Sequence, residues 1–283
     1  MTASTAKPET VSVTSGAPAA MVPASAFPGL AARTAGAGPA FVLLHGGAGS
    51  SAHWVRNIDA LANKFRVVAF DLPGYGDSPD VPKSITTDDY IASVRQAVLA
   101  AAPDGCHLAG FSFGGAVAAR VAAQLGHRII RLSLLGTGGF GVPVGRIIPL
   151  AKTSGAGTGP QARRDVAAAN LGQWMLSSAP AADDPVVDMQ LANIDRARFD
   201  SRRISHMSTL LDDLTHITAP IQLIWGTSDK LAYPSIQSRL DSCREVRPDI
   251  SVALVPDGGH WIQYEQADAV NRLLMAFHDV SEE

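Results

Sequence analysis

The chain has 283 residues, of which 46% are hydrophobic and 17% charged, with a formal net charge of −3 and a pI of about 6.2. These values are typical of a globular protein with one or two domains. They give no basic excess for binding nucleic acid or an anionic membrane surface, and no apolar run reaches the roughly 18 residues of a membrane span.

The first 27 residues are rich in Ala, Thr, Ser and Pro. They lack the basic region and continuous apolar run of a secretory signal, so we expect a flexible tail or one draped over the domain. The two cysteines, Cys106 and Cys243, are too far apart in sequence to form a metal-ligand pair. We expect buried thiols and a reducing cytoplasm.

Six short apolar runs, each closed by turn-forming residues, predict strands. They are 41–44, 66–70, 106–109, 129–135, 221–225 and 251–255. Helical spacing or Ala-rich composition predicts helices over 86–101, 114–125, 163–176, 185–199 and 263–278. Strands that alternate with helices indicate an α/β fold with a mostly parallel, doubly wound sheet.

The alternation stops between residues 138 and 213, where no strand is predicted. A helical insertion in an α/β core is most simply a lid over the carboxyl ends of the strands. We therefore expect a core formed by 28–137 and 214–283, with 138–213 as the lid. Several apolar side chains could line a pocket beneath the lid or pack within it: Ile147, Ile148, Leu150, Trp174, Met175, Leu176, Met189 and Leu191.

A G-x-S-x-G motif, residues 110–114, lies between a predicted strand and an Ala-rich helix. This strand-turn-helix setting is typical of a nucleophile elbow, in which a sharp turn presents a serine at a helix N-terminus. Small residues at both glycine positions let the strand and the helix approach. We expect Ser112 to be a nucleophile, whose hydroxyl needs a base near neutral pH.

Among eight histidines, His260 is the best candidate for that base. It follows the strand 251–255 on a glycine loop, at the edge of the sheet where the elbow lies. We interpret His107 as structural and His45 as a brace for the adjacent glycine turn. The others, His53, His127, His206, His216 and His278, are expected to face solvent or fill packing positions.

A carboxylate must orient the base, and Asp229 follows the strand 221–225 at the same edge. Asp257 is closer to His260 in sequence but is better explained as a turn former. The tetrahedral intermediate also needs hydrogen-bond donors for its oxyanion. We expect these to be the backbone amides of Phe113 and Gly47, with Ala48 as the alternative to Gly47.

These motifs resemble the α/β-hydrolase fold superfamily over residues 41–278, and the Ser–Asp–His chain order is the one expected there. The resemblance implies that fold, with the helical lid inserted after the sixth strand. Residues 71–78 resemble the family's loop after its fourth strand. The segments 45–57 and 259–272 are similar to those of meta-cleavage-product hydrolases, which cut a carbon–carbon bond in ring-fission products of aromatic breakdown.

Two positions depart from the meta-cleavage pattern. That subfamily usually has Asn before its nucleophile, where this chain has Phe111, and a lid Arg that holds the substrate carboxylate, where the local match gives Gln190. Four nearby arginines could replace that Arg or form a solvated helix face: Arg196, Arg198, Arg202 and Arg203. A serine nucleophile also separates the chain from the dehalogenases and epoxide hydrolases of this fold, which use Asp.

We therefore expect a serine hydrolase of the carboxylesterase branch that acts on a small-molecule ester. Carbon–carbon cleavage of a vinylogous diketone is the alternative, and a non-catalytic small-molecule receptor is a lesser one. Phe111, Trp261, Gln190 and Trp174 are the expected substrate-binding residues. No metal or organic cofactor is expected, and the chain is expected to be a monomer or a homodimer.

Overall fold

The structure is a computed structural model that describes residues 20–22, 29–143, 150–153 and 159–279. Within them, eight strands form one sheet: β1 Ala20–Val22, β2 Ala32–Ala35, β3 Ala40–Leu44, β4 Arg66–Phe70, β5 Cys106–Phe111, β6 Ile129–Leu135, β7 Ile221–Gly226 and β8 Ser251–Val255. The helices are α1 Ile58–Leu61, α2 Thr87–Ala101, α3 Phe113–Leu125, α4 Pro160–Trp174, α5 Pro185–Asp195, α6 Arg202–Ser205, α7 Leu210–His216, α8 Ile236–Val246, α9 Ile262–Glu265 and α10 Ala267–His278. None of these helices is long and apolar enough to cross a membrane.

The strand order is β1-β2-β4-β3-β5-β6-β7-β8. The pairs from β4 to β8 are parallel, whereas β1 and β2 add an antiparallel edge. This confirms the α/β-hydrolase fold predicted from the motifs. The strand β1 lies within the expected N-terminal tail, and the rest of residues 1–27 lies outside the described part of the chain.

The order reverses between β3 and β5, because β4 lies on one side of β3 and β5 on the other. Loops leaving neighbouring strands at such a switch point diverge and open a crevice at the carboxyl ends of the strands. The loop after β3 and the turn after β5 therefore flank one crevice. The turns after β7 and β8 leave the same edge of the sheet.

The sheet has a hydrophobic core on each face, as the continuous burial of β3, β5 and β7 requires. One core packs α2, α3, α7 and α8 against alternate strand residues such as Val42 and Leu108. The other packs α1 and α10 against the intervening residues, such as Phe41 and Ala109. Helices α4 and α5 join this second core, so the inserted segment shares packing with the main domain.

Two predicted helices differ from the observed ones in their bounds. The helix predicted over 185–199 ends at Asp195, and the one predicted over 263–278 is broken at Gln266 into α9 and α10. The part of 138–213 that is described contains helices α4 to α7 and no strand. Two of the apolar residues predicted for this segment, Ile147 and Ile148, lie outside the described residues.

Two histidines far apart in sequence form a buried pair on the face of the sheet that α10 covers. The Nδ1 atoms of His107, on β5, and His278, at the end of α10, are 3.0 Å apart, and His278 Nε2 lies 2.8 Å from Ser133 Oγ. Burial and the nearby Arg131 lower the pKa of His107 to about 4. Burial, His107 and Arg131 hold the pKa of His278 well below its ordinary value. His278 fills a packing position, one of the two alternatives expected from the sequence, because its side chain is fully buried.

We expect the unfolding free energy to fall as the pH drops from 6.5 towards about 4. Between these pH values both histidines bind protons in the unfolded chain but stay neutral in the folded protein. Each of them therefore lowers the free energy of unfolding by ~1.4 kcal/mol per pH unit as the pH falls. Urea titrations at several pH values measure this slope. His107→Gln should flatten it, and His216→Gln, at an exposed position, serves as the control. An unchanged slope in His107→Gln would contradict the assignment.

Candidate active site

Ser112 occupies a strained turn between β5 and α3. Its backbone has φ 54° and ψ −116°, a combination that non-glycine residues rarely adopt. The neighbouring glycines are required by close contact: a Cβ on Gly110 would stand 2.3 Å from the Gly114 carbonyl oxygen, and one on Gly114 would stand 2.3 Å from that of His45. The G-x-S-x-G motif thus lets the strand, the turn and the glycine loop meet around a serine at a helix N-terminus.

Three of the predicted residues are hydrogen-bonded in series. The Ser112 hydroxyl lies 2.9 Å from His260 Nε2, and His260 Nδ1 lies 2.8 Å from Asp229 Oδ2. His260 and Asp229 are buried, whereas Ser112 is half-buried. With Asp229 ionised, Nδ1 carries the imidazole proton and Nε2 accepts from the serine. The arrangement is that of a nucleophile, a general base and an orienting carboxylate.

Asp229 is held as a carboxylate although it is buried. Burial by itself raises the pKa of Asp229, but the charge of His260, its hydrogen bond and the Leu231 amide lower it, so the net pKa lies below the ordinary value. The Leu231 amide donates to Oδ1 at 2.8 Å, leaving Oδ2 for His260. Asp257 is exposed in a turn with φ 57°, in keeping with its interpretation as a turn former.

Arg239, on α8, fastens the loop that carries Asp229. Its guanidinium donates to the carbonyls of Leu231, Tyr233 and Thr137, at 3.2–3.4 Å. Its charge also contributes to lowering the pKa of Asp229. Sequence reasoning missed this residue because α8 is a polar helix with no motif. The only feature of the sequence that could have indicated Arg239 is its position ten residues after Asp229.

Glu265, on α9, fastens the loop that carries His260. One carboxylate oxygen accepts from the Gly259 amide at 2.6 Å, and the other accepts from the amide and hydroxyl of Ser177, which follows α4. The Trp261 amide also donates to the Met175 carbonyl at 2.6 Å. The candidate base, His260, is therefore held partly by the inserted segment, so the positions of that segment and of His260 are coupled.

The glycine loop after β3 is braced by two buried histidines. His45 Nδ1 donates to the Gly46 carbonyl at 2.7 Å, and its Nε2 accepts from the Leu72 amide at 2.9 Å. Burial lowers the pKa of His45 to about 4, which keeps the ring neutral, as this pair of bonds requires. The Gly46 amide donates to His53 Nδ1 at 3.2 Å. His53 is completely buried, so it packs inside the protein and does not face solvent.

The predicted oxyanion donors, Gly47 in the loop after β3 and Phe113 at the start of α3, lie close together. A Cβ on Gly46 would stand 3.3 Å from Ser112 Cβ, and one on Gly47 would stand 2.3 Å from Ser201 Oγ and 3.9 Å from Phe113 Cβ. Within the described residues, no backbone acceptor binds the amides of Gly47 or Phe113. Ala48 has φ 47°, an unusual value for alanine that marks a tight bend in the same loop.

We expect Gly47→Ala to lower kcat/KM by roughly a hundredfold, because a displacement of about 1 Å in the candidate oxyanion loop is enough for such a loss. The new methyl group would collide with Ser201 and displace the loop. Steady-state hydrolysis of an aryl ester measures the effect. Gly159→Ala is the matched control, since a Cβ there meets nothing within 4 Å. Equal activity of the two variants would argue against a catalytic role for this loop.

The predicted substrate-binding residues are only partly brought together. Phe111 is buried against Gly46, with its ring centroid 5.0 Å from that of His260. Trp261 is buried beside His53 and donates from Nε1 to the His53 carbonyl at 2.9 Å. Gln190, on α5, donates from Nε2 to the Ala48 carbonyl at 3.2 Å. Trp174 is half-buried at the end of α4, and no hydrogen bond or ring contact within the described residues joins it to Ser112.

The four arginines considered as replacements for a lid arginine are bound elsewhere. Arg196 and Arg198 pair with Asp77 and Asp80, Arg202 pairs with Asp200, and Arg203 donates to the carbonyls of residues 83 and 85. Three of them thus fasten the inserted segment to the loop after β4, and Arg202 binds its own segment.

Of the apolar residues predicted to line a pocket or pack within the inserted segment, Leu176 and Leu191 are buried in the second core, and Leu150 is exposed.

The comparisons with known proteins concern the family and the fold of the chain. A family described as "Alpha/beta hydrolase family" matches residues 41–273. A 2-hydroxy-6-oxononadienedioate/2-hydroxy-6-oxononatrienedioate hydrolase from Burkholderia vietnamiensis is 29% identical over 260 residues, covering 84% of this chain and 86% of that protein. A carboxylesterase from Bacillus subtilis has a similar structure, with a TM-score of 0.68 at 22% identity, covering 89% of this chain and 88% of that one.

A second curated relative is longer than this chain. The dihydrolipoyllysine-residue acetyltransferase component of an acetoin cleaving system from Pseudomonas putida is 29% identical over 256 residues. The match covers 85% of this chain but only 63% of that protein. The similarity to the acetyltransferase component thus concerns part of that protein.

Proposed function

We propose that this chain, which belongs to the alpha/beta hydrolase family, is a serine hydrolase. Its substrate in this proposal is a carboxylic ester or a related acyl compound. The observation that carries the proposal is the hydrogen-bonded series from Ser112 through His260 to Asp229. A serine, an imidazole and a buried carboxylate in this geometry can activate a hydroxyl near neutral pH. The same residues would form the catalytic triad.

In the proposed reaction, His260 takes the proton from Ser112 as the Ser112 oxygen attacks the substrate carbonyl. Asp229 holds the imidazole in the required tautomer and stabilises the imidazolium that forms. The amides of Gly47 and Phe113 donate to the oxyanion of the tetrahedral intermediate, with α3 directing its N-terminus at the developing charge. His260 then protonates the leaving group, and a water activated by the same imidazole hydrolyses the acyl-enzyme.

Carbon–carbon bond cleavage is the second candidate, and the 29% identity with a dienedioate hydrolase favours it. Ester cleavage ranks first because Phe111 precedes the nucleophile where that subfamily usually has Asn. The arginines that could bind a substrate carboxylate are also paired with other groups. Parallel time courses with a short-chain aryl ester and a dienone ring-fission product separate the two. Rapid loss of the dienone with negligible ester turnover would reverse the ranking.

A receptor that binds a small molecule without turnover is the remaining candidate. Labelling by a fluorophosphonate that is lost in Ser112→Ala supports the enzyme. Tight ligand binding without labelling would support the receptor.

We further propose that residues 138–213 act as a lid over the crevice. The bonds of Ser177 and Met175 to the His260 loop support this role, since they tie the insertion to the candidate base. The substrate is a small molecule in this proposal. Two buried cysteines without a disulfide fit a reducing compartment such as the cytoplasm.

A further inference from the structure

The turn that follows α4 packs against the loop that carries His260. A Cβ on Gly259, which directly precedes His260, would stand 2.6 Å from both the carbonyl carbon of Leu176 and the amide nitrogen of Ser177. Only a glycine allows two backbones to approach this closely. The inserted segment therefore meets the candidate base at the residue next to it in the chain.

The same turn is bound from the loop that carries Asp229. Lys230 directly follows Asp229, and its ammonium group donates to the Gly172 carbonyl at 2.6 Å and to the Ser177 carbonyl at 3.1 Å. Gly172 lies in the last turn of α4, where carbonyls lack intrahelical partners and the helix dipole favours a cation. The loop of the candidate orienting carboxylate is thereby tied to the inserted segment.

Glu265 holds the same serine from the side of the candidate base. One carboxylate oxygen accepts from the Ser177 amide at 2.8 Å and from its hydroxyl at 2.7 Å, while the other accepts from the Gly259 amide at 2.6 Å. Ser177 thus has its donors bound by an anion and its carbonyl bound by the Lys230 cation. Hydrogen bonds to charged groups are about twice as strong as neutral ones, so this residue joins the two loops firmly.

The two loops also meet directly, through the residues that precede the candidate triad members. The Ser228 amide, one position before Asp229, donates to the carbonyl of Gly258, two positions before His260, at 2.9 Å. The bridge through the inserted segment uses Lys230, one position after Asp229. Asp229 is therefore held from both sides, which limits its movement away from His260.

We propose that Lys230 and Glu265 are positioning residues that act together through Ser177 to keep Asp229 within hydrogen-bond reach of His260. In this role neither side chain touches the substrate, and each acts by fixing the loop that carries its neighbour. The inference rests on the proposed function and makes the docked turn after α4 a condition of its catalytic centre. A misplacement of about 1 Å is enough to lower the rate about a hundredfold.

Three variants of the full chain test the bridge: Lys230→Met, Glu265→Gln and the double variant. Methionine has no donor for the two carbonyls, and the NH₂ group of glutamine confronts a donor at one of the two ends that the carboxylate now serves. We expect each single variant to lower kcat about tenfold to a hundredfold, with KM within about twofold, for the faster substrate of the ester and the dienone. Fluorophosphonate labelling should slow by a similar factor.

The double variant separates a shared bridge from two independent contacts. Links in series are broken by the loss of either one, so its kcat should lie within about threefold of that of Glu265→Gln, whereas independent losses would multiply. Lys230→Arg keeps a donating cation and should recover most of the kcat lost in Lys230→Met. The controls are Lys152→Met, exposed in the inserted segment, and Glu245→Gln, exposed on α8, and both should leave kcat and KM unchanged.

The outcomes separate the positioning role from the reaction. Thermal unfolding of each variant ensures that kcat is measured on folded protein. Multiplied losses in the double variant, a raised KM with unchanged kcat, or no gain of Lys230→Arg over Lys230→Met overturns the positioning role and leaves the hydrolase standing. Absence of both turnover and fluorophosphonate labelling in the unaltered protein overturns the proposed function and the inference with it.

Discussion

Ser112→Ala is expected to lower kcat/KM for an aryl ester by roughly 10⁵–10⁶-fold, because removal of the nucleophile abolishes the acyl-enzyme route. A residual rate above that of water would remain from the oxyanion donors and substrate binding. The substitution removes only a half-exposed hydroxyl, so the fold should persist, as circular dichroism and thermal unfolding would show.

Ser228→Ala is the matched control for this variant. Ser228 is an exposed serine on the loop that also carries Asp229, so its replacement tests for general damage to that loop. We expect activity within about twofold of the unaltered protein, as for most surface substitutions. Retention of activity in Ser112→Ala would remove Ser112 from the mechanism.

Asp229→Asn is expected to lower kcat by roughly 10⁴-fold with little change in KM. The amide preserves the size of the side chain, but its nitrogen can occupy the position of Oδ2, which now accepts from His260 Nδ1 at 2.8 Å. The imidazole would then place its proton on Nε2 and could no longer accept from Ser112. The stabilisation of the imidazolium by a carboxylate, whose pKa lies below the ordinary value, would be lost as well.

Asp257→Asn is the control, since Asp257 is the competing carboxylate near His260 in sequence. The Asp257 side chain is exposed. Its backbone amide donates to Thr227 Oγ1 at 3.1 Å, and the substitution keeps this hydrogen bond. We expect near-normal kinetics. If Asp257→Asn lost more activity than Asp229→Asn, the orienting carboxylate would have been assigned to the wrong residue.

The parts of the fold that could be predicted from the sequence are those in which local chemistry dictates structure. The strands 66–70, 129–135 and 251–255 were predicted at their observed bounds, because each is a short apolar run closed by turn-forming residues. Ser112, Asp229 and His260 could be chosen because each follows a strand, and the carboxyl ends of parallel strands share one edge. That inference needs no knowledge of side-chain packing.

The parts that could not be predicted depend on contacts between distant residues. The strand β2 has the sequence Ala-Arg-Thr-Ala, which carries no apolar run, and it forms a strand by pairing with β1 and β4. His53 looked like a polar loop residue, and its burial arises because Trp261, Phe111 and α5 close around it. The pairing of His107 with His278 joins residues 171 positions apart, a distance that no local pattern encodes.

The central claim is tested most directly by locating the covalent adduct formed with a fluorophosphonate. Intact-mass analysis followed by peptide mapping should find a single phosphonyl group on the peptide that contains residue 112, and the rate of its formation should fall sharply in His260→Ala. An adduct on another residue, or a rate that does not depend on His260, would contradict the account.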